Sequence, residues 1–301
     1  MSHSLLRTDV VRRHHLALRT VQSITSQVIG AGGSGRYRHA MSVTLKPIGD
    51  MLREWRQRRR LSQLELSLDA EISTRHLSFL ETGRSQPSRG MVLRLAERLE
   101  VPLRDRNILL HAAGYASVFP ERPLDDPALH AARQAIDQVL AGHEPYPALA
   151  VDRHWTLVAA NAAVARLLAG VDAALLTPPV NVLRLALHPQ GMAPRTANLG
   201  EWRAHLLARL GHQIQIGGDP VLVRLMRELR EYPAPPDARD EIDAAAFVVP
   251  FRLNTETGTL AFFSTTTVFG TPVDITLSEL AIEAFYPADP ATADALRRLL
   301  E

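Results

Sequence analysis

Two groups of residues have types and spacing suited to chemistry. The first lies in Ser73-Thr74-Arg75-His76-Leu77-Ser78-Phe79-Leu80. On a helix that turns Leu77 and Leu80 toward a core, Thr74, Arg75, Ser78 and Phe79 are left on the outer face, where they would enter a major groove. A guanidinium can bond guanine through two hydrogen bonds, and short hydroxyls can meet base edges or phosphates. Gln63, opening the preceding helix, is placed to grip a phosphate together with that helix's free amides. Arg84, in the following turn, and Arg58, Arg59 and Arg60 add phosphate contacts that carry no sequence information. The second group is aromatic. Trp155, Trp202, Phe251, Phe262 and Phe263, with Phe247 and Phe269, supply most of the aromatic surface of the C-terminal half and would line an apolar ligand cavity. Alternation along 259–269 sets Phe262 and Phe263 on opposite faces, so at most one of them points into such a cavity. Ordinary core packing is the competing reading for each aromatic.

Catalysis finds little footing. The twelve histidines include no H-E-x-x-H or other chelating pair, and His205 and His212 are seven apart, too far for one helical turn. Ser264 lies in no G-x-S-x-G elbow, and Asp240-Glu241-Ile242-Asp243 reads as a solvated cluster. With no cysteine, thiolate metal sites and cysteine nucleophiles are excluded. The run Gly30-Ala31-Gly32-Gly33-Ser34-Gly35 matches a dinucleotide fingerprint in letters only, lacking the strand before it and the helix after it. The expectation is a protein that is not an enzyme and uses neither cofactor nor metal.

The elements that must hold the first group are dense helix. Ile48, Leu52 and Trp55 recur at helical spacing after Pro47. Ser62-Gln63-Leu64-Glu65 is a capping box opening a second helix, predicted to present Leu64 and Leu68 inward. Ser73 caps a third helix, ended by Gly83 in a left-handed turn; Ser88 caps a fourth, and a fifth runs from Leu103 to a stop at Gly114. Two of these helices joined by a short turn make a helix-turn-helix within an all-α five-helix domain.

Beyond a proline- and acid-rich linker the period changes. A helix from Asp126-Pro127 to about Ala141 is followed by strands at 148–151 and 155–160, a helix capped by Asn161, and mostly helix over 179–231. Strands at 247–253 and 259–269 flank a hairpin loop. Residues 280–286 fit a helix opened by Thr276-Leu277-Ser278-Glu279 or a strand, and their alternation favours the strand. The sum is an α+β domain with an antiparallel sheet, expected to carry its helices on one side.

Charge divides along the same boundaries. Residues 41–116 carry 13 Lys+Arg against 9 Asp+Glu, whereas 117–301 carry 15 against 22. A basic part joined to an acidic one assigns a polyanion to the former. Residues 1–44 read as a disordered basic extension, or as sequence upstream of a start at Met41. Residues 45–116 form the DNA-binding domain, 117–126 the linker and 127–301 the second domain. No apolar run reaches membrane-spanning length, so no membrane insertion and a cytoplasmic location are expected.

The segments Leu61-Ser62-Gln63-Leu64-Glu65, Ile72-Ser73, and Leu77 through Ser88 closely resemble the lambda repressor/Cro (XRE-type) helix-turn-helix, and the resemblance continues through 92–96 and 107–115. Glu71 departs from it: glycine is usual in that turn, and a left-handed glutamate there costs about 1 kcal/mol. In the second half, Ala150-Val151-Asp152-Arg153-His154-Trp155, Ala159-Ala160-Asn161, 262–271 and Phe285-Tyr286-Pro287-Ala288-Asp289 resemble the MmyB-like regulators. That resemblance implies a PAS-like ligand-binding domain with a five-stranded antiparallel sheet, sensing a fatty-acid-like molecule. One DNA-binding domain reads one half-site, so a homodimer on a palindromic double-stranded operator is expected. The alternative is a ligand-independent repressor or antitoxin-type protein that uses its C-terminal domain for dimerisation only.

Overall fold

The computed structural model describes residues 46–234, 249–256 and 258–300. The N-terminal extension with its glycine run and Met41, the acidic cluster at 240–243, and Phe247 lie outside the described residues.

Five helices form the first domain: α1 (Ile48–Arg58), α2 (Gln63–Asp69), α3 (Thr74–Glu81), α4 (Arg89–Arg98) and α5 (Leu103–Ala112). Their starts follow the local chemistry. Ser62 accepts from the Glu65 amide while the Glu65 carboxylate takes the Ser62 amide, and Ser73 and Ser88 accept from His76 and Met91. Their ends share one device. In each, the second residue past the cap donates its amide five residues back, as Leu61 to Arg56, Ile72 to Ser67, Arg84 to Phe79, Val101 to Ala96 and Tyr115 to Leu110. This is a Schellman turn, and it needs a left-handed residue just before the donor. Gly83 and Gly114 supply it at two ends, but Arg60 (φ 56°), Glu71 (φ 56°) and Glu100 (φ 48°) supply it at the others. The left-handed backbone expected at Glu71 is therefore present, and it occurs twice more.

Leu52, Trp55, Leu66, Leu77, Leu80, Val92, Leu95, Leu99, Leu109 and Leu110 are buried together as the core of this domain. The inward assignment of Leu64 and Leu68 is corrected: they are 58% and 68% exposed. On this seven-residue helix the buried face is Leu66, Ser67 and the capping Ala70, which puts the two flanking leucines outside.

The second domain is built on one sheet. Its elements are α6 (His130–Gly142), β1 (Ala148–Val151), β2 (Leu157–Ala160), α7 (Ala162–Leu167), α8 (Val182–Leu187), α9 (Leu199–Gly217), α10 (Pro220–Glu231), β3 (Phe251–Thr255), β4 (Gly258–Val268), α11 (Ile275–Ser278), β5 (Ala281–Pro287) and α12 (Pro290–Leu300). The strands run in the order β2-β1-β5-β4-β3, every pair antiparallel. This is the expected α+β arrangement, and the ambiguous stretch at 280–286 is indeed a strand. Placing the helices on one side only is corrected. Leu149, Val151, Phe251 and Phe262 face α8, α9 and α10, while Ala148, Ala150, Ile282 and Ala284 take Ile136 and Leu140 of α6 on the reverse. Alanines at those strand positions are what let a helix lie close on that face.

The 117–126 segment is tied to both domains. Asn107 donates to the Phe119 carbonyl at 2.7 Å and accepts from the amides of Val118 and Phe119. Arg104 of α5 bridges Glu121 (2.5 Å) and Glu279 (2.8 Å), and Arg122 pairs with Asp274 at 3.1 Å.

Candidate functional site

In the first domain, α3 is held from beneath by a buried carboxylate. Glu81, whose side chain is fully buried, takes both ends of the Arg56 guanidinium (2.6 and 2.9 Å) and the Gln63 amide (2.8 Å). Burial pushes the Glu81 carboxyl up, but hydrogen bonds from Arg56 and Gln63 and the charges of Arg56 and Arg53 outweigh it, holding the group below its ordinary range. α1, α2 and α3 are thereby locked together, and the outer face of α3 inherits a fixed orientation.

On that face Phe79 is a half-buried platform, with the Arg75 guanidinium 5.3 Å and the Arg84 guanidinium 5.9 Å from its ring centroid. Neither arginine meets a carboxylate among the described residues, so both remain available to an anion or a base edge. Ser78 stands half-buried on the same helix. Thr74 is also half-buried, but its hydroxyl shares a hydrogen bond with Ser67 at 2.9 Å. Gln63 has one amide hydrogen committed to Glu81.

Arg58 and Arg59 are not brought into this group. Arg59 donates to the carbonyls of Leu99 and Glu100 at the end of α4, at 2.9 and 3.0 Å. Arg58, lying over Trp55, donates to the Gly217 carbonyl at 3.1 Å, at the end of α9 in the other domain. A helix C-terminus carries partial negative charge, which explains why each guanidinium settles there. Gly218, at φ 67°, closes α9, and a Cβ on it would lie 2.9 Å from Arg58 Nη2.

The second domain encloses an apolar cavity of about 100 Å3 between the sheet and α7–α9. Trp155, Trp202, Phe251 and Phe262 line it, as expected. Phe263 does not. Strand alternation turns it to the opposite face, where it stacks on Tyr286 at 5.2 Å. Asn161 serves as a buried helix cap, accepting from Val164 and donating to the carbonyls of Leu140 and Tyr146.

Trp155 reaches the cavity from a strained position. Its φ is 65°, a backbone region costly for a bulky side chain. Asp152 enforces it: its carboxylate accepts from the amides of His154 and Thr156, both at 2.8 Å, and its carbonyl takes the Trp155 amide at 3.0 Å. The indole N–H then donates to Gln213 at 2.9 Å, and Gln213 donates back to the Arg153 carbonyl at 2.7 Å.

Three polar residues also line the cavity: Ser264, which the sequence offers only as a rejected nucleophile, and Arg209 and Glu283, which it does not mark at all. Glu283, 5% exposed, accepts from Arg209 at 2.8 and 3.2 Å. Spacing along α9 could have hinted at Arg209, since Trp202, Leu206, Arg209, Gln213 and Gly217 recur on one face. Nothing local connects it to Glu283, 74 residues away. That same α9 stripe runs from the cavity to the carbonyl held by Arg58.

Comparison with known proteins finds a family match for each of the two domains. Residues 52–105 match the helix-turn-helix family, and residues 132–299, more than half of the chain, match the MmyB-like transcription regulator ligand binding domain. The chain is also 36% identical over 78 residues to an uncharacterized HTH-type transcriptional regulator, RghRB, of Bacillus subtilis (strain 168); the match covers 26% of this chain and 54% of that protein. Among the described residues no helix is long and apolar enough to cross a membrane. With the helix-turn-helix in front and the ligand-binding fold behind it, the chain belongs to the MmyB-like transcription regulators, a family of DNA-binding proteins with a ligand-binding domain and not of enzymes.

Proposed function

We propose that this regulator acts as a homodimer on a palindromic operator and that its second domain senses a small apolar, fatty-acid-like molecule. The observation that carries the DNA side is the pair of uncompensated arginines, Arg75 and Arg84, set on Phe79 at the outer face of α3. Arg75 reads a base, Ser78 and Thr74 flank it, and Arg84 and Gln63 take phosphates. A cytoplasmic site of action goes with DNA as the partner.

The ligand side is supported by a cavity whose lining is apolar except for Arg209, Ser264 and Glu283. An effector that widens it displaces Trp202, Leu206 and Arg209, all on α9, and α9 ends on Arg58 of the DNA-binding domain. Ligand binding then changes the presentation of two α3 helices to two half-sites, by no more than its differential affinity for the two arrangements. The test is native mass spectrometry of the purified chain for a co-purified small molecule, followed by operator binding with and without it. An effector that leaves operator affinity unchanged contradicts the sensing role.

A second reading makes the C-terminal domain a dimerisation element alone. The cavity volume favours it, since about 100 Å3 is below the ~300–1,000 Å3 of most ligand pockets. A chain that binds no apolar small molecule yet remains dimeric on DNA would establish that reading.

A further inference from the structure

The polar end of the cavity is charge-balanced before any ligand arrives. Glu283 on β5 receives Arg209 Nη2 at 2.8 Å, Arg209 Nη1 at 3.2 Å and the Thr266 hydroxyl at 3.0 Å. The Thr266 oxygen in turn accepts from Arg209 Nη2 at 3.1 Å, and the guanidinium lies 4.9 Å from the Trp155 ring centroid. His205, stacked on Trp202, is held below the ordinary imidazole range by burial and by the Arg209 charge, so it adds no second cation. Ser264 shares the β4 face of Phe262 and Thr266 and lines the cavity. Its hydroxyl makes no hydrogen bond among the described residues.

Consider what each kind of head group meets here. An ionised carboxylate approaching Arg209 also approaches Glu283. To pair with the guanidinium it must detach Glu283, leaving a buried carboxylate alone, or lie beside that like charge stripped of water. A hydroxyl, ester, lactone or amide brings no charge and finds in Ser264 a free donor and acceptor. Resting on the cavity reading above and narrowing its fatty-acid-like effector to an uncharged form, we infer that the second domain takes a neutral amphiphile, an apolar body with a hydroxyl or carbonyl head, and discriminates against the ionised acid of the same length.

The discriminating probes are 1-octanol and octanoate, titrated into the full chain at pH 8, well above the carboxylic acid range, and followed by the emission of Trp155 and Trp202. The expected result is that octanol binds the unmodified chain at least about tenfold more tightly than octanoate. Glu283→Gln, which removes the charge and keeps an acceptor for Arg209, should erase or invert that ratio. Octanoate binding as tightly as octanol to the unmodified chain overturns the head-group inference while leaving the cavity as a ligand site. Failure of both probes to bind overturns the cavity reading and this inference with it. Because the first comparison needs no variant, it stands even if Glu283→Gln folds poorly.

Discussion

Arg84 and Phe79 are joined twice by one Schellman turn: the Arg84 amide donates to the Phe79 carbonyl at 2.9 Å, and its guanidinium lies 5.9 Å from the Phe79 ring centroid. The motif that ends the recognition helix therefore also aims a cation at whatever the helix faces. Arg75, one turn before Phe79, sets its guanidinium 5.3 Å from the same ring centroid.

Replacing Phe79 with leucine keeps an apolar residue in the turn but removes the platform. Each exposed cation–π contact contributes ~0.5–1 kcal/mol, so loss of both should lower operator affinity by about five- to thirtyfold at most. Thermal stability should change little. Fluorescence anisotropy with a labelled operator, beside a melt of the free protein, separates the two effects.

Three helix ends carry a left-handed residue that is not glycine, Arg60, Glu71 and Glu100, and all three are exposed to solvent. Glu71→Gly and Glu100→Gly should each stabilise the domain by up to about 1 kcal/mol, less the added freedom of glycine in the unfolded chain. Denaturant unfolding reads this directly. A loss of stability in both would show that the glutamates make contacts outweighing the backbone strain.

Breaking the buried Arg56–Glu81 pair by Glu81→Ala should cost about 3–5 kcal/mol, because Arg56 keeps its charge and loses its partner. The same pair fixes an acid limit. The Glu81 carboxyl titrates lower in the folded protein than its ordinary value of 4.5. Its stabilisation is therefore complete above that value and is lost as the pH falls through it toward the folded-state value. Unfolding free energies measured between pH 6 and 3, roughly spanning that window, should decline for the unmodified chain and decline less for Glu81→Gln.

At the domain junction, Gly218→Ala meets two obstacles: a backbone at φ 67° and a guanidinium 2.9 Å from the new Cβ. The left-handed strain alone costs about 1 kcal/mol. The second obstacle should release Arg58 from Gly217 and loosen the docking of the domains. Faster proteolysis within 117–126, compared with the unmodified chain, is the expected result.

Much of this was legible from local chemistry. Ser62, Ser73 and Ser88 announce helix starts because a cap depends on residues three apart, and strand alternation separated Phe262 from Phe263 for the same reason. The missed features depend on distant partners. Nothing in Arg58 or Arg59 says that helix ends 40 to 159 residues away will claim their guanidinium groups. Leu64 and Leu68 look like a buried pair until Leu66, Ser67 and Ala70 take the interior of a helix too short to bury both faces. Arg60 and Glu100 carry no mark of the left-handed backbone they adopt, whereas Glu71 was exposed by the glycine its motif usually holds. The Arg209–Glu283 pair joins α9 to β5, and only the folded sheet brings them together.

The central claim, that α3 reads the operator through Arg75, is tested most directly by gel-shift titration of Arg75→Ala and Arg84→Ala against the operator and single-base variants over a range of salt. Arg75→Ala should lose ~1–3 kcal/mol on the operator and relax its preference at one base position in each half-site. Arg84→Ala should weaken binding to all sequences alike and flatten the salt dependence. Unchanged base preference in Arg75→Ala would contradict the account.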